Sequence, residues 1–250
     1  MKKQTFDKNY CSFFLGCEGE KIQEIVIIAP CWRPETVGIE QYELIANNDC
    51  LIWDCKLNDT PFTYIVTGVG ACKCLDVITS LKYTKCKKLL FLGSAGAITK
   101  KYKIGDIVFP KAVICAEGAS RFLEEEMCSD TYGKLFKVSP TLWENLTRQA
   151  PLDKRIHIYS DTIGISVESI ASQFKHIDEF LDLGAECIDM EASAFLASSQ
   201  YINCECAICF CISDNSSNNE PLMELSEEQT IFRKQIRKDI VPKILELFIN

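Results

Sequence analysis

The segment KKLLFLGSAGAI, residues 87–98, places an apolar run directly before a cluster of small residues. Leu89 to Leu92 predict a buried strand, and the Gly93-Ser94-Ala95-Gly96 cluster follows it without a bulky side chain. Small residues at a strand end let backbone N–H groups approach a polar or anionic ligand closely. They also suit an ordinary tight turn, so a ligand-binding loop and a plain turn both remain open for this segment alone.

Short apolar runs and helical patterns alternate along the rest of the chain, without internal repeats. Residues 51–70 predict a hairpin around the turn-forming NDTP segment, followed by a helix from about Cys72 to Tyr83. A capping box, SEEQ, predicts the start of the last helix at Ser226, with a kink near Pro242. The other predicted strands are EIVIIAP, IVFPKAVICA, RIHIYS, AECIDM and CECAICFCIS. This alternation predicts an α/β protein with three layers, α/β/α.

Composition indicates one large domain and disfavours several classes of partner. The chain has 250 residues, 47% of them hydrophobic, and we expect an N-terminal arm at 1–23 before a single domain at 24–250. A net charge of -8 argues against a nucleic-acid partner, which requires a basic face. No apolar run approaches the roughly 18 residues of a membrane span, and the N-terminus does not resemble a signal peptide. We therefore expect a cytoplasmic protein without a membrane partner.

The 15 cysteines favour reduced, buried thiols over disulfides or a metal site, because their number is odd and most lie inside apolar runs. The densest group, NCECAICFCIS, has Cys204 and Cys206 on one face of a predicted strand and Cys209 and Cys211 on the other. Four thiols divided between two faces cannot surround one ion, so we expect no metal. Only two histidines are present, which also disfavours a His-dependent nucleophile.

Two further predicted strand ends carry acids. In GAECIDMEASAFLA, residues 184–197, an apolar run ends in DME against a small-residue helix, and in ISDN, residues 212–215, a strand stops at Ser-Asp. An acid at a helix N-terminus gains about 0.3–1 kcal/mol from the helix dipole, so Glu191 has a purely structural alternative. Asp214 has one as well, because Ser-Asp is a common helix cap. In α/β folds, however, ligands bind at the carboxyl ends of strands.

The ordered set GSAGAI, IGDIV, DMEASA and ISD resembles the nucleoside phosphorylase and nucleosidase family over about residues 24–248. That family includes purine nucleoside phosphorylases, uridine phosphorylase and methylthioadenosine/S-adenosylhomocysteine nucleosidase. The resemblance implies a central mixed sheet and cleavage of a nucleoside N-glycosidic bond, as in purine salvage. It implies no metal and no cofactor, although a phosphorylase takes inorganic phosphate as co-substrate. It also implies a homo-oligomer, a dimer or a hexamer, with a small-molecule nucleoside as ligand.

The resemblance assigns roles to the two acids. Glu191 matches the carboxylate that bonds the ribose hydroxyls, where it offsets the positive charge that develops on the sugar as the bond breaks. Met190 would pack against the sugar, while Asp189 has no assigned role beyond helix polarity. Asp214 matches the acid that protonates a departing purine, with Ser213 beside it in the base site. A raised pKa at the end of an apolar strand would suit Asp214 for this role.

The attacking nucleophile is less clearly indicated. Phosphorylases commonly carry an Arg two residues before the Gly-Ser turn, and this chain has Phe91 there. Gly93 and Ser94 suit water as well as phosphate. The loop APCWRPETV offers Arg33, which could bind phosphate, and Glu35, which could activate water; the pair can equally be a solvated loop pair. The expectation is therefore hydrolysis, with phosphorolysis as the alternative.

Base recognition departs from the family pattern as well. Family members often place an aromatic residue shortly after a segment like YSD, where this chain has Ile163. We expect Ile163 to contact the base, but the missing aromatic residue leaves the identity of the nucleoside open. A nucleoside-binding protein that has lost turnover is a further alternative.

Overall fold

The computed structural model describes residues 6–126, 129–150 and 153–250. The strands are β1 Ile25–Ala29, β2 Gln41–Asn47, β3 Leu51–Leu57, β4 Thr60–Val66, β5 Lys88–Ala97, β6 Ile107–Val108, β7 Ala112–Ala116, β8 Leu135–Lys137, β9 Ile158–Tyr159, β10 Ile163–Val167, β11 Cys187–Asp189 and β12 Glu205–Asn215. The α-helices are α1 Lys8–Leu15, α2 Ala71–Ser80, α3 Pro140–Gln149, α4 Ile170–Gln173, α5 Ile177–Asp182, α6 Ala192–Tyr201 and α7 Glu227–Ile249.

All of these strands join one mixed sheet, whose main path runs β2-β3-β4-β1-β5-β11-β10-β7-β8. β12 pairs in parallel with β5 along its whole length, and it also joins β6, which in turn pairs with β9. β5 and β12 are the longest strands of the centre because nearly every residue in them is apolar or small and buried on both faces. The predicted α/β class and mixed sheet are confirmed.

The free edge of β5 explains where a site can form. On the side opposite β12, β1 pairs in parallel with residues 88–91, whereas β11 pairs antiparallel with residues 96–97. The carboxyl ends of β1 and β11 therefore point toward each other along one edge of β5. Between them, residues 92–95 have no strand partner on that side, so the Gly93-Ser94 segment borders a gap in the sheet.

Two apolar layers cover the sheet. One contains α2 and α6 over Val26, Phe91 and Phe210, and the other packs α7 over Ile27, Leu92 and Cys209. This alternation of neighbouring residues between the layers follows from the two-residue period of strands. The predicted three-layer plan is confirmed. Among the described residues, no helix is both long and apolar enough to cross a bilayer.

Most of the predicted strands and helices are confirmed, and where their boundaries differ from the prediction there is a physical cause. The hairpin is β3 and β4, and its tip places Asn58 and Asp59 in the left-handed region. The following helix ends at Ser80 and continues as a 3-10 turn to Tyr83. IVFPKAVICA forms two strands, because Pro110 has no N–H to extend one ladder. Within the predicted arm, α1 packs against α2, and Leu15 is fully buried in the core.

α7 begins at the predicted Ser226 capping box and includes Pro242 in its interior. Pro242 cannot donate to the carbonyl of Lys238, four residues earlier. Gly38 lies against this site: a Cβ built on Gly38 would come within 2.7 Å of the Lys238 oxygen. Gly38 also has φ +77, so it supports both a left-handed turn and a close approach of the loop after β1 to α7.

We predict that Gly38→Ala lowers the thermal midpoint clearly more than Gly133→Ala. Both glycines have φ +77, but a Cβ on Gly133 meets nothing within 4 Å. The shared strain of about 1–2 kcal/mol cancels in the comparison, leaving the cost of overpacking against a backbone oxygen, about 1–3 kcal/mol. Thermal denaturation of the two variants should differ by several degrees. Equal midpoints would show that the loop moves freely away from α7.

Candidate active site

Glu191 bridges the gap beside β5. It follows the carboxyl end of β11, and its Oε1 accepts a hydrogen bond of 2.6 Å from the backbone N–H of Gly70, which follows β4 and precedes α2. Glu191 is 5% exposed. The bond satisfies one of the free N–H groups at the start of α2 and fixes the carboxyl group between two strand ends. The segment TGVG at residues 67–70 thus belongs to the site, although we did not identify it from the sequence.

Asp189 holds the backbone that carries Glu191. Its Oδ2 accepts hydrogen bonds from the N–H groups of Glu191 and Ala192, at 2.8 and 2.6 Å, and its Oδ1 accepts one of 2.5 Å from the Ser166 hydroxyl. Ser166 in turn accepts the N–H of Ser193. This buried network caps α6 and closes the turn after β11. Sequence reasoning gave Asp189 helix polarity alone, because Ser166 is distant along the chain.

Burial raises the pKa of both carboxyl groups. The pKa of Glu191 is raised to about 8, first by burial and then by the charge of Asp189, while the Gly70 N–H opposes the shift. The pKa of Asp189 is raised to about 6 by burial, although its three hydrogen bonds favour the ionised form.

A cavity of about 540 Å³ lies next to this turn, lined by Met190, the start of α2 and the loop after β7. Met190 is half-buried, Gly93 is buried and Ser94 is exposed. These are the positions the sequence assigned to the ribose and to phosphate or water. Met190 and the Gly93-Ser94 segment lie in the same region because β5 pairs antiparallel with β11, so this segment of β5 runs past the end of β11.

Asp214 lies on the other side of β5. A bulge in β12 at Ser213 brings Asp214 opposite Gly96, and a Cβ on Gly96 would come within 3.0 Å of Asp214 Oδ2. The Ser213 hydroxyl donates a 2.5 Å hydrogen bond to Asp214 Oδ1. Burial raises the pKa of Asp214, whereas the Ser213 bond and the charge of Arg233 lower it. The absence of a Cβ on Gly96 thus gives the Asp214 carboxyl group room to lie close to β5.

The IGD segment, residues 104–106, supports this end of β12. Gly105 donates its N–H to the Ile212 carbonyl, and Ile212 donates to the Asp106 carbonyl. The Asp106 carboxylate accepts hydrogen bonds from the N–H groups of Lys103 and His157. Gly105, with φ +90, allows the ring of Phe232 on α7 to approach. This segment therefore holds β12 and α7 together beside Asp214.

The remaining predicted residues lie farther from these contacts. Arg33 and Glu35 are exposed in the loop after β1, and neither side chain has a hydrogen bond or ion pair among the described residues. Phe91 is fully buried against Phe195 and Phe210, so it cannot supply a charge. Ile163 begins β10 and packs in the apolar cluster of Ile98, Ile165 and Ile188. Its contact with a base stays a prediction.

Two arginines on α7 also reach this region, and sequence reasoning missed them. The Arg237 Nε donates to the Thr36 carbonyl at 3.0 Å, and its guanidinium carbon lies 4.7 Å from the centre of the Trp32 ring. Arg233 follows Phe232, whose ring lies against Gly105 beside the end of β12, and the charge of Arg233 lowers the pKa of Asp214. Their spacing of four residues places them on one face of α7, but the sequence does not show what that face contacts.

The cysteines are free thiols wherever the structure describes them. Cys206 packs in the α2/α6 layer and Cys209 and Cys211 in the α7 layer, as the strand period predicts. No group of three or more potential metal ligands occurs within the described ranges. A larger cavity of about 1290 Å³ lies between residues 103–104 and the start of α7, and none of the predicted site residues line it.

The sequence matches the profile of the phosphorylase superfamily over residues 40–242. The chain belongs to the phosphorylase superfamily. An enzyme that cleaves N-ribosyl bonds fits this membership. Among curated protein sequences, none matches at a significant level.

Solved structures of nucleoside-cleaving enzymes share the fold. A uridine phosphorylase from Vibrio fischeri ES114 has a TM-score of 0.74 at 16% identity, covering 96% of this chain and 97% of its own. A purine nucleoside phosphorylase from Toxoplasma gondii has 0.71 at 18%, covering 92% and 94%. A Campylobacter jejuni 5'-methylthioadenosine/S-adenosyl homocysteine nucleosidase has 0.71 at 18%, covering 89% and 98%. The TM-scores show a shared fold, and the low identities leave the substrate undetermined.

We predict that Glu191→Gln removes a pH-dependent loss of stability from this phosphorylase-superfamily protein. The folded-state pKa of Glu191 is raised from 4.5 to about 8, so the folded protein favours the protonated side chain. The contribution of this group to the free energy of unfolding is therefore fully present below pH 4.5 and is lost as pH rises through 8. The parent should therefore lose stability relative to Glu191→Gln across this range. Thermal midpoints of both proteins from pH 5 to 9 measure the effect.

Glu205→Gln, at an exposed position on β12, is the control and should follow the parent at every pH. A constant difference between the parent and Glu191→Gln across the range would contradict the raised pKa.

Proposed function

We propose that this chain hydrolyses the N-glycosidic bond of a purine nucleoside, or of a methylthioadenosine-like nucleoside, to free base and sugar. The observation that supports it is the placement of two carboxyl groups, buried Glu191 and half-buried Asp214, on opposite sides of the Gly93–Gly96 segment, both with raised pKa. Glu191 acts at the sugar and Asp214 at the base. We further propose that the protein needs no cofactor and works as a homo-oligomer.

The two carboxyl groups act on different parts of the nucleoside, one on the sugar and one on the base. Glu191, fixed by the Gly70 N–H, bonds the ribose hydroxyls and becomes more strongly ionised as positive charge develops on the sugar. Asp214, whose pKa burial raises, donates a proton to a ring nitrogen of the leaving purine. Ser213 orients the acid through its hydrogen bond. Met190 packs against the apolar face of the sugar.

The choice of water as nucleophile rests on the surroundings of Gly93 and Ser94. Phe91, where a phosphorylase commonly has an arginine, lies in the core and offers no donor. Glu35, on the exposed loop after β1, is the candidate base that activates water. Phosphorolysis is the second candidate, favoured by exposed Arg33 on the same loop, which has no ion-pair partner in the described part of the chain. A non-catalytic nucleoside-binding role is the third.

We predict that the protein releases base from adenosine, inosine, guanosine or methylthioadenosine in phosphate-free buffer. The free base and the sugar should be followed separately by chromatography, with and without inorganic phosphate. The free sugar as product, ribose or, from methylthioadenosine, methylthioribose, supports hydrolysis. The corresponding sugar 1-phosphate, with a many-fold acceleration by phosphate, would establish phosphorolysis instead. Binding of nucleosides without any base release would leave only the non-catalytic role.

We predict that Asp214→Asn slows cleavage of ordinary purine nucleosides by about 10²- to 10⁴-fold while binding changes little, because the amide cannot donate the proton. Single-turnover rates and nucleoside dissociation constants measure the two effects. A nucleoside whose base leaves without protonation is the internal control, and the variant should cleave it nearly as fast as the parent. If Asp214→Asn cleaves ordinary purine nucleosides at parental rates, Asp214 is a structural cap and the purine assignment loses its main support.

A further inference from the structure

Two of the free thiols lie next to each other at the start of the central strand pair. The sulfur atoms of Cys86 and Cys204 are 4.0 Å apart, and no other two thiols share a hydrogen bond in the described part of the chain. Cys86 lies two residues before β5, and Cys204 lies directly before β12. Their sulfur atoms need to approach by only about 2 Å to reach the length of a disulfide bond.

The backbone around this pair is compatible with that approach. Glu205 donates its N–H to the Lys87 carbonyl at 3.0 Å, which keeps the two chain segments side by side. Both cysteines lie outside the strands, whose paired register begins at Lys88 and Glu205. The Cys204 sulfur also lies 3.3 Å from the Cys86 carbonyl oxygen, so its side chain is directed toward Cys86. A bond between the two sulfur atoms therefore requires no unpairing of β5 from β12.

The two thiols differ in acidity and are more accessible than the other cysteines of this segment. Both side chains are half-buried, whereas Cys206, Cys209 and Cys211 are buried. The hydrogen bond with Cys86 lowers the pKa of Cys204, although burial opposes the shift, and the same bond raises the pKa of Cys86. Redox-sensitive cysteines are accessible, have a lowered pKa and lie next to a second thiol. Cys204 thus has the properties of the attacking thiol and Cys86 those of the resolving one.

We propose that Cys86 and Cys204 form a reversible intramolecular disulfide when the protein is exposed to a peroxide. The Cys204 thiolate attacks one peroxide oxygen and the O–O bond breaks, which gives a sulfenic acid and hydroxide. The hydroxide takes up the proton that Cys204 released on ionising. The Cys86 thiol then attacks the sulfenic sulfur, the S–S bond forms, and the sulfenic oxygen leaves as water with the Cys86 proton. Two thiols and hydrogen peroxide thus give one disulfide and two water molecules, and a thiol reductant reverses the oxidation.

This disulfide would fasten together the starts of two strands that carry the proposed site at their other ends. It would join residues 118 positions apart, and closing a loop of that length stabilises a protein mainly by restricting the unfolded chain. The Gly93-Ser94 segment and Asp214 lie toward the opposite ends of β5 and β12. We therefore expect oxidation to raise stability without contacting these residues. The inference does not depend on the proposed function.

Peptide mapping of the peroxide-treated protein tests the bond directly. The full chain should be reduced with dithiothreitol, freed of it and treated with increasing hydrogen peroxide. Remaining thiols are then blocked with N-ethylmaleimide in denaturant, and the digested protein is analysed by mass spectrometry. We expect a linked peptide pair containing Cys86 and Cys204, formed at lower peroxide than oxidation of exposed Cys31 and lost after dithiothreitol. In Cys86→Ser, Cys204 should instead remain a sulfenic acid that dimedone traps.

Cys17→Ser is the matched control, because Cys17 is also half-buried against the same apolar layer, and it should leave the linked peptides unchanged. Oxidation of Cys31 while Cys86 and Cys204 both remain open to N-ethylmaleimide would overturn the proposal. Disulfides that join either of the two mainly to other cysteines would also overturn it.

Thermal denaturation measures the effect of the bond on stability. The midpoint of the peroxide-treated parent should exceed that of the reduced parent by about 5 °C or more, and dithiothreitol should reverse the rise. Cys204→Ser treated in the same way should show no such rise. A mapped Cys86–Cys204 disulfide with an unchanged midpoint would contradict the fastening of β12 to β5.

Discussion

The carboxylate of Asp189 accepts two backbone N–H groups at the turn after β11 and one hydroxyl from the neighbouring strand β10. The position of the Glu191 carboxyl group depends on this arrangement, because the turn would otherwise leave buried N–H groups without acceptors. A charged side chain buried among apolar strands is costly, and the three hydrogen bonds offset that cost. Burial raises the pKa of Glu191, and the same negative charge raises it further. One structural carboxylate thus fixes the geometry of the proposed catalytic one and contributes to its raised pKa.

The second constraint is the pairing of β5. A long parallel strand normally keeps the same neighbours along its length, yet β5 exchanges β1 for antiparallel β11 on one edge. The exchange leaves the Gly93-Ser94 backbone free between two strand ends, while Gly96 lets the Asp214 carboxyl group lie close on the opposite edge. The two carboxyl groups that we propose to act on a sugar and on a base therefore lie on two sides of one strand. The small residues between them leave room for this arrangement.

The class, the layers and most strand positions could be predicted, because apolar periodicity and turn residues are local signals. The strand ends bearing Glu191 and Asp214 were predicted for the same reason. Gly70 could have been found from its Gly-x-Gly spacing before a helix, but its bond to Glu191 joins residues far apart in sequence. Arg233 and Arg237 could not be assigned, since a helix sequence does not show which neighbouring strand its charged face meets. Asp189 looked like any helix-terminal acid until Ser166 was placed beside it.

Burial and a nearby cation act in opposite directions on Asp214. Burial raises the pKa of Asp214, whereas the Ser213 hydrogen bond and the charge of Arg233 lower it. Among the described residues Arg233 has no carboxylate partner, so no second acid cancels its effect on Asp214. The pKa of Asp214 therefore depends on a balance between burial and one cation on α7, and removing that cation would raise it further.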